Sequence, residues 1–176
     1  MSALQFKTPR ELENDITASL AETMLPPNIL ELELTESVLM DASHEHNDVL
    51  LRLRKAGFRL AIDDFGNGFS SLDYLRRFPV DRIKIAQNFI SELSSVSGNA
   101  AIVRAALGLA RELAIEVVVE GVETSEQLEL LKSWGAHTVQ GFYYSKPLLE
   151  KEATALLKKG RIARGLPMAM ADAAVA

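Results

Sequence analysis

Residues 59–71 read RLAIDDFGNGFSS and join a short apolar segment directly to a polar loop that contains two glycines. The segment Arg59–Asp63 has the length and composition of a buried β-strand. It ends in two consecutive carboxylates, Asp63 and Asp64. The loop after them lacks the GxGxxG spacing of a dinucleotide-binding turn. We therefore search the rest of the chain for further strands that end in polar or charged residues.

Further segments of the same kind alternate with predicted helices along the chain. The other predicted strands are Leu30–Thr35, Val80–Ile85, Ile115–Glu120 and 137–140. The predicted helices are 10–24, 44–56, 70–77, 99–114, 124–134 and 149–159. Such alternation predicts parallel strands joined by right-handed crossovers. We therefore expect an α/β fold of the partial TIM-like (β/α) barrel type, with about five of the barrel strands present.

Apolar positions predict which sides of two helices are buried. In the 44–56 helix these positions are Val49, Leu50 and Leu53. In the 99–114 helix they are Ile102, Val103, Ala106, Leu107, Ala110 and Leu113. Thr124 and Gln127 have the spacing of a capping box, which predicts a helix start at this point.

Every predicted strand carries, at or near its carboxyl end, a side chain suited to metal or phosphate chemistry. These residues are Glu33, Glu36, Asp63, Asp64, Lys84, Glu120, Glu123 and Gln140. The carboxyl ends of barrel strands converge on one face, where so many carboxylates would repel one another without a cation. Hard divalent ions such as Mg²⁺ or Mn²⁺ prefer such oxygens, and two of them ~3.5–4 Å apart are a common arrangement for hydrolysing a phosphodiester. The pattern predicts a site of this kind.

The alternative for any single acidic residue is a structural role. An acidic side chain after a strand is often the N-cap of the next helix or a solvated loop charge. Five strand ends in series favour a shared site over this alternative. Lys84 lies between Ile83 and Ile85 on a buried strand, so it requires a partner, and the neighbouring carboxylates are the expected ones.

Composition excludes several other classes of function. The chain has 176 residues, a formal charge of −5 and no cysteine. These values argue against a broad DNA- or RNA-binding surface, a disulfide framework or a thiolate metal site. No apolar run reaches the ~18 residues of a membrane helix, and residues 1–10 lack a secretory signal, so we expect a cytoplasmic protein without a membrane segment. We expect one domain over residues 1–163 and a flexible tail over 164–176.

Five motifs resemble those of the bacterial EAL domain. They are LELTES (Leu32–Ser37), DDFGNGFSSLDYL (Asp63–Leu75), IKIA (Ile83–Ala86), VVVEGVET (Val117–Thr124) and QGFYYSKPL (Gln140–Leu148). The resemblance implies a modified β/α barrel that serves signal transduction. It also implies hydrolysis of cyclic di-GMP to linear pGpG with two Mg²⁺ or Mn²⁺ ions.

The resemblance implies a role for each of these residues. Glu33, Asp63, Asp64 and Glu120 match metal ligands, with Asp63 bridging the two ions, and Lys84 and Glu120 match residues at the hydrolytic water. Gln140 and Glu123 match residues of the nucleotide pocket. Glu36 matches a glutamate that braces the loop Asp64–Ser71, a loop that mediates dimer contacts. The implied partners are cyclic di-GMP and either a second copy of the chain or another EAL or sensor-domain protein.

Three departures from the family pattern lower the expected activity. The Glu-Ala-Leu strand is absent, and so is a metal-binding asparagine, because Ser2–Phe6 resembles the segment just after that asparagine. The aspartate expected two residues after Lys84 is Ala86. We therefore expect a truncated phosphodiesterase domain with an incomplete barrel, weakened metal binding and little or no activity. The alternative is a non-catalytic relative that acts as a cyclic di-GMP receptor or a protein-interaction module.

Overall fold

The computed structural model describes residues 9–36, 39, 44–68, 75, 78–94 and 96–159. The helices whose first and last residues are both described are α1 (Pro9–Thr23), α2 (His44–Lys55), α3 (Gly98–Glu112), α4 (Ser125–Ser133) and α5 (Glu150–Lys158). The strands are β1 (Glu31–Thr35), β2 (Arg59–Phe65), β3 (Arg82–Ile85), β4 (Glu116–Val119) and β5 (Thr138–Val139). None of these boundaries differs from the predicted one by more than two residues.

Two predicted segments lie wholly or mostly outside the described residues. One is the helix over 70–77, of which only Leu75 is described, and that residue is helical and buried. The other is the tail over 164–176. Each helix in the described part of the chain is too short or too polar to cross a lipid bilayer.

The five strands are hydrogen-bonded neighbours in the order β1-β2-β3-β4-β5. The pairs β1/β2, β2/β3 and β4/β5 are parallel, as the alternation of strands and helices predicted. Glu33 lies opposite Ala61 and Thr35 lies opposite Asp63, while the register between β2 and β3 shifts after Ile62. The predicted α/β fold with five parallel strands is therefore confirmed.

The chain divides into two compact units. The first unit comprises Met1–Ala86 and Gly108–Val117, and it contains α1, α2, β1, β2 and β3. The second unit comprises Gln87–Leu107 and Val118–Ala176, and it contains α4, β5 and α5. Strand β4 and helix α3 each contribute residues to both units.

The core of the first unit consists of strand side chains and the inner face of α2. Leu34, Leu60, Ile62 and Ile83 are fully buried, as expected for strands that are covered on both faces. The predicted inner residues of α2, which are Val49, Leu50 and Leu53, are each 1% exposed. Val49 and Leu53 pack in one cluster with Leu20 of α1 and Phe58.

The predicted inner face of α3 is correct for four residues and wrong for two. Val103, Ala106, Leu107 and Ala110 are buried, whereas Ile102 is 46% and Leu113 44% exposed. Successive helical side chains are rotated by about 100°, so Ile102 lies at one edge of the buried face, about 40° from Ala106 but about 100° from Val103. Leu113 lies beyond the last helical residue, Glu112, where helical periodicity no longer applies.

An ion-pair network at the amino ends of four strands was not predicted. Glu31, Arg59, Arg82 and Glu116 are the first residues of β1, β2, β3 and β4, and all four belong to the first unit. The carboxylate of Glu116 lies 2.6 Å from the Arg82 guanidinium and 2.8 Å from that of Arg59. Glu31 lies 2.8 Å from Arg82.

These contacts shift two pKa values. Burial opposes the charged form of Arg82, but the hydrogen bond to Glu116 and the charge of Glu31 outweigh it, so the pKa of Arg82 is raised. The hydrogen bond from Arg82, followed by that from Arg59, lowers the pKa of Glu116. Residues at the amino ends of barrel strands usually serve stability, and this network fits that role.

Candidate functional site

Lys84 of β3 lies between carboxylates of the two preceding strands. Its ammonium nitrogen is 2.7 Å from Oε1 of Glu33 on β1 and 3.1 Å from Oδ1 of Asp63 on β2. Lys84 is only 8% exposed, and a lysine at such a position requires opposite charges close by. The structure thus brings Glu33, Asp63 and Lys84 together, and the predicted partners of Lys84 are the correct ones.

Glu36 holds the loop that follows β2. Its side chain is buried, and Oε2 accepts hydrogen bonds from the backbone N–H groups of Gly68 (3.1 Å) and Gly66 (3.4 Å). A Cβ atom on Gly68 would lie 2.8 Å from the carboxyl carbon of Glu36, so a larger residue at this position would displace the Glu36 carboxylate. This contact agrees with the bracing role that the resemblance implies for Glu36. Residues 69–71 of the loop lie outside the described part of the chain.

Asp64 occupies different surroundings from Asp63. It has a φ of 57°, a left-handed conformation that aspartate tolerates better than most residues. Its side chain is exposed, and Oδ1 accepts a hydrogen bond from the Asn67 amide at 3.4 Å. Its carbonyl oxygen accepts the Asn67 backbone N–H at 3.1 Å. Asp64 therefore shapes the loop turn, whereas Asp63 contacts Lys84.

The predicted residues of the second unit surround one cavity. Glu120, Glu123 and Gln140 line it together with Gln87, Gly121, Gly141 and Phe142. The cavity has a volume of about 140 Å³. Backbone bonds join two of its walls, because Gln140 donates to Val119 and Val122 donates to Gln140. A Cβ atom on Gly141 would overlap the backbone of Val122, so position 141 requires glycine.

Gln87 and Phe142 were not predicted as site residues. Gln87 directly follows the IKIA motif, and Phe142 is the third residue of QGFYYSKPL. Both positions are therefore adjacent to, or inside, motifs that were recognised. Their place in the cavity depends on how the segments after β3 and β5 fold back, which no local sequence pattern encodes.

The family model of the EAL domain matches residues 1–147 of the chain. The match covers most of the chain and includes each residue of the Lys84 group and of the cavity. The chain belongs to the EAL domain family.

Relatives of this EAL domain include cyclic di-GMP phosphodiesterases. The cyclic di-GMP phosphodiesterase PA2567 of Pseudomonas aeruginosa is 40% identical over 130 residues, which cover 74% of this chain and 22% of that protein. The structure of the MucR phosphodiesterase in complex with c-di-GMP, from the same organism, has 40% identity and a TM-score of 0.82. The alignment covers 87% of this chain and 68% of that one. The TIM-like barrel type of the fold is thereby confirmed.

A further solved EAL structure contains a divalent metal. The structure of Klebsiella pneumoniae BlrP1 with manganese and c-di-GMP has 38% identity and a TM-score of 0.72, and the alignment covers 78% of this chain and 35% of that one. The chain spans 19%, 23% and 18% of the first three curated relatives it matches, which is about a fifth of their length. Most of each of these longer proteins therefore has no counterpart in this chain.

Three of the four predicted metal ligands of this EAL domain lie in the first unit, and Glu120 lies in the second. Across the described residues, no three His, Asp or Glu side chains stand in an arrangement that holds a metal ion. Glu33 and Asp63 have the right donor chemistry, but both contact the Lys84 ammonium. Asp64 lies in the loop turn, and Glu120 lines the cavity of the second unit.

Proposed function

We propose that this chain is the EAL-type phosphodiesterase domain of a cyclic di-GMP signalling protein. In this proposal the 176-residue chain hydrolyses cyclic di-GMP to linear pGpG at a low rate or not at all. The relatives support the substrate class, since they include cyclic di-GMP phosphodiesterases. The contacts of the Lys84 ammonium with the carboxylates of Glu33 and Asp63 support the low rate of hydrolysis. The proposal includes a cytoplasmic location and association with a second copy or with another EAL or sensor-domain protein.

The observation that carries this proposal is the contact of Lys84 with Glu33 and Asp63. One ammonium group compensates two carboxylates, so little positive charge is left to attract the phosphodiester anion. Residue 86 is a buried alanine and supplies no further carboxylate to the site. We propose that Mg²⁺ or Mn²⁺ binds weakly for the same reason, because the ion must compete with Lys84 for the oxygens of Glu33 and Asp63.

The direct test is an assay of the purified chain with cyclic di-GMP and either Mn²⁺ or Mg²⁺. Product pGpG is separated by chromatography, and an active EAL domain from a relative serves as the positive control. We expect no product above the rate in buffer. Turnover at the rate of the active domain would show that the low-activity part of the proposal is wrong.

The second candidate is a receptor that binds cyclic di-GMP without hydrolysing it. The cavity of the second unit favours it, because Gln87, Glu123 and Gln140 offer amide and carboxylate groups suited to the edge of a guanine base. Calorimetric titration with cyclic di-GMP, with and without Mg²⁺, tests this candidate. Saturable binding that Gln140→Ala weakens, and that the exposed Lys151→Ala leaves unchanged, supports a receptor. Absence of heat in both titrations contradicts it.

A further inference from the structure

Gln127 is a buried glutamine in the first turn of α4, 9% exposed, and its side-chain amide bonds to two separate segments of the second unit. Its Oε1 accepts the backbone N–H groups of Glu123 (2.8 Å) and Thr124 (3.0 Å). Its Nε2 donates to the carbonyl oxygen of Ile90 at 2.8 Å. One side chain therefore connects the turn before α4 with the segment after β3.

The two connected segments both contribute lining residues to the cavity. Residues 120–123 supply Glu120 and Glu123, and the segment 87–90 supplies Gln87. Gly121 has a φ of 71°, and a Cβ atom on it would collide with the side chain of Gln87, so these segments are in close contact. The Gln87 amide also donates to Glu123 at 3.4 Å. Ile90 donates its own N–H to the Gln87 carbonyl at 2.8 Å, so a bond to Ile90 also restrains Gln87.

The bond to Ile90 is more than helix capping requires. In a capping box, the N3 side chain accepts the N–H of the N-cap residue, which Gln127 does for Thr124. Glutamate performs that task as well as glutamine. Only an amide can also donate to a carbonyl oxygen, because an ionised carboxylate has no hydrogen to donate. The choice of Gln at this position therefore points to the second bond.

We propose that Gln127 is a positioning residue that sets the spacing between the Glu120–Glu123 turn and the segment 87–90. Through this spacing it sets the shape of the cavity of the second unit. Its link to ligand affinity rests on the proposed binding of cyclic di-GMP. The restraint on the two segments does not depend on that ligand.

Gln127→Glu separates positioning from capping. The variant keeps the length of the side chain and its acceptor oxygens, and it loses the donor to Ile90. The matched control is Glu152→Gln in α5, where Glu152 occupies the same N3 position, accepts the Leu149 N–H at 3.1 Å and does not line the cavity. Both variants exchange glutamine and glutamate at an N3 position whose side chain accepts the N–H of the N-cap residue.

The first measurement is hydrogen–deuterium exchange of the full chain at pH 8, resolved by peptide. For Gln127→Glu we expect exchange about tenfold faster in residues 87–92 and 120–124, as loss of one buried hydrogen bond predicts, with residues 128–133 unchanged. Glu152→Gln should leave all three segments unchanged. Exchange identical to wild type in Gln127→Glu would overturn the proposal. If Gln127→Glu does not fold, the uncharged Gln127→Met takes its place. Because this variant also loses the cap of α4, only residues 87–92 then decide: faster exchange there supports the proposal, and exchange identical to wild type there overturns it.

The second measurement is the Kd for cyclic di-GMP by calorimetry. We expect about tenfold weaker binding in Gln127→Glu and no change in Glu152→Gln. Faster exchange together with unchanged affinity overturns the positioning role, because the cavity would then not depend on the bond. If the wild-type chain does not bind cyclic di-GMP, the proposed function fails, and the exchange measurement alone decides the role of Gln127.

Discussion

Lys84 shows how one side chain changes the net charge of a group of predicted metal ligands. Its ammonium lies 2.7 Å from Glu33 and 3.1 Å from Asp63, on a strand whose neighbours Ile83 and Ile85 are buried. The three groups carry a net charge of −1 rather than the −2 of the carboxylates alone. The proposed weak binding of a divalent cation rests on this reduced negative charge.

Lys84→Met should strengthen divalent-metal binding. The variant keeps an unbranched side chain on the strand and removes the charge that competes for Glu33 and Asp63. We expect Mn²⁺ to bind about tenfold more tightly, a conservative value for removing one charge at this distance. Calorimetric titration with Mn²⁺ measures the change. Lys132→Met is the matched control, because Lys132 pairs with Glu129 at an exposed position and should not affect metal binding. Equal or weaker Mn²⁺ binding in Lys84→Met would contradict the competition between Lys84 and the ion.

Gly141→Ala tests the tight contact in the wall of the cavity. The new Cβ would overlap the backbone of Val122, which cannot move aside as a flexible side chain can. We expect the free energy of unfolding to fall by about 1–3 kcal/mol in urea denaturation. Gly108→Ala is the control, because its Cβ meets nothing within 4 Å, and we expect it to be stabilising by about 0.5–1 kcal/mol in the middle of α3. If Gly141→Ala and Gly108→Ala changed the free energy of unfolding by similar amounts, the close approach of Gly141 to the Val122 backbone would be refuted.

At the level of secondary-structure elements, the amino ends of β1 to β4 form a network that local patterns do not reveal. Glu31, Arg59, Arg82 and Glu116 are far apart in the chain, and each is an ordinary polar residue at the start of a strand. Strand pairing places each of the two arginines within 2.6–3.9 Å of both glutamates. By contrast, the strands and helices themselves were predicted closely, because hydrophobic periodicity depends only on local geometry.

The network predicts an acid-sensitive contribution to stability. The pKa of Glu116 is lowered from its ordinary value of 4.5, so its contribution is complete above about pH 4.5 and is lost as the pH falls through the lower folded-state pKa. We expect the melting temperature of wild type to fall more steeply below pH 4.5 than that of Glu116→Gln.

Glu13→Gln provides the comparison for Glu116→Gln. It removes an exposed ion pair with Arg52, and we expect a change in stability of at most about 0.5 kcal/mol. Parallel melting curves for wild type and Glu116→Gln across the acidic range would contradict the role of the network.

At the level of the whole molecule, the described part of the chain supplies five strands. Five strands form the sheet, with β1 and β5 as its outer strands in the described part of the chain. A closed barrel of this type has eight strands, since strand number, tilt and stagger are linked. Unpaired edges of a parallel sheet are uncommon in stable proteins and favour association.

We predict that the purified chain self-associates. Size-exclusion chromatography with light scattering should give the mass of two chains or more, and dilution should lower the melting temperature, because dissociation would expose the strand edges. A monomer with a cooperative melting transition that does not depend on concentration would contradict this prediction.

The sequence by itself determined the order of strands and helices, the membership of the EAL family and the identities of the residues at the strand ends. These follow from local periodicity and from short motifs, which depend on neighbouring residues alone. Only the tertiary structure decided that Asp63 rather than Asp64 contacts Lys84, and that Gln127 bonds to Ile90. Partners of this kind lie 21 and 37 residues apart in the chain. Their contacts depend on strand register and on how loops fold back, which are settled when distant segments pack together.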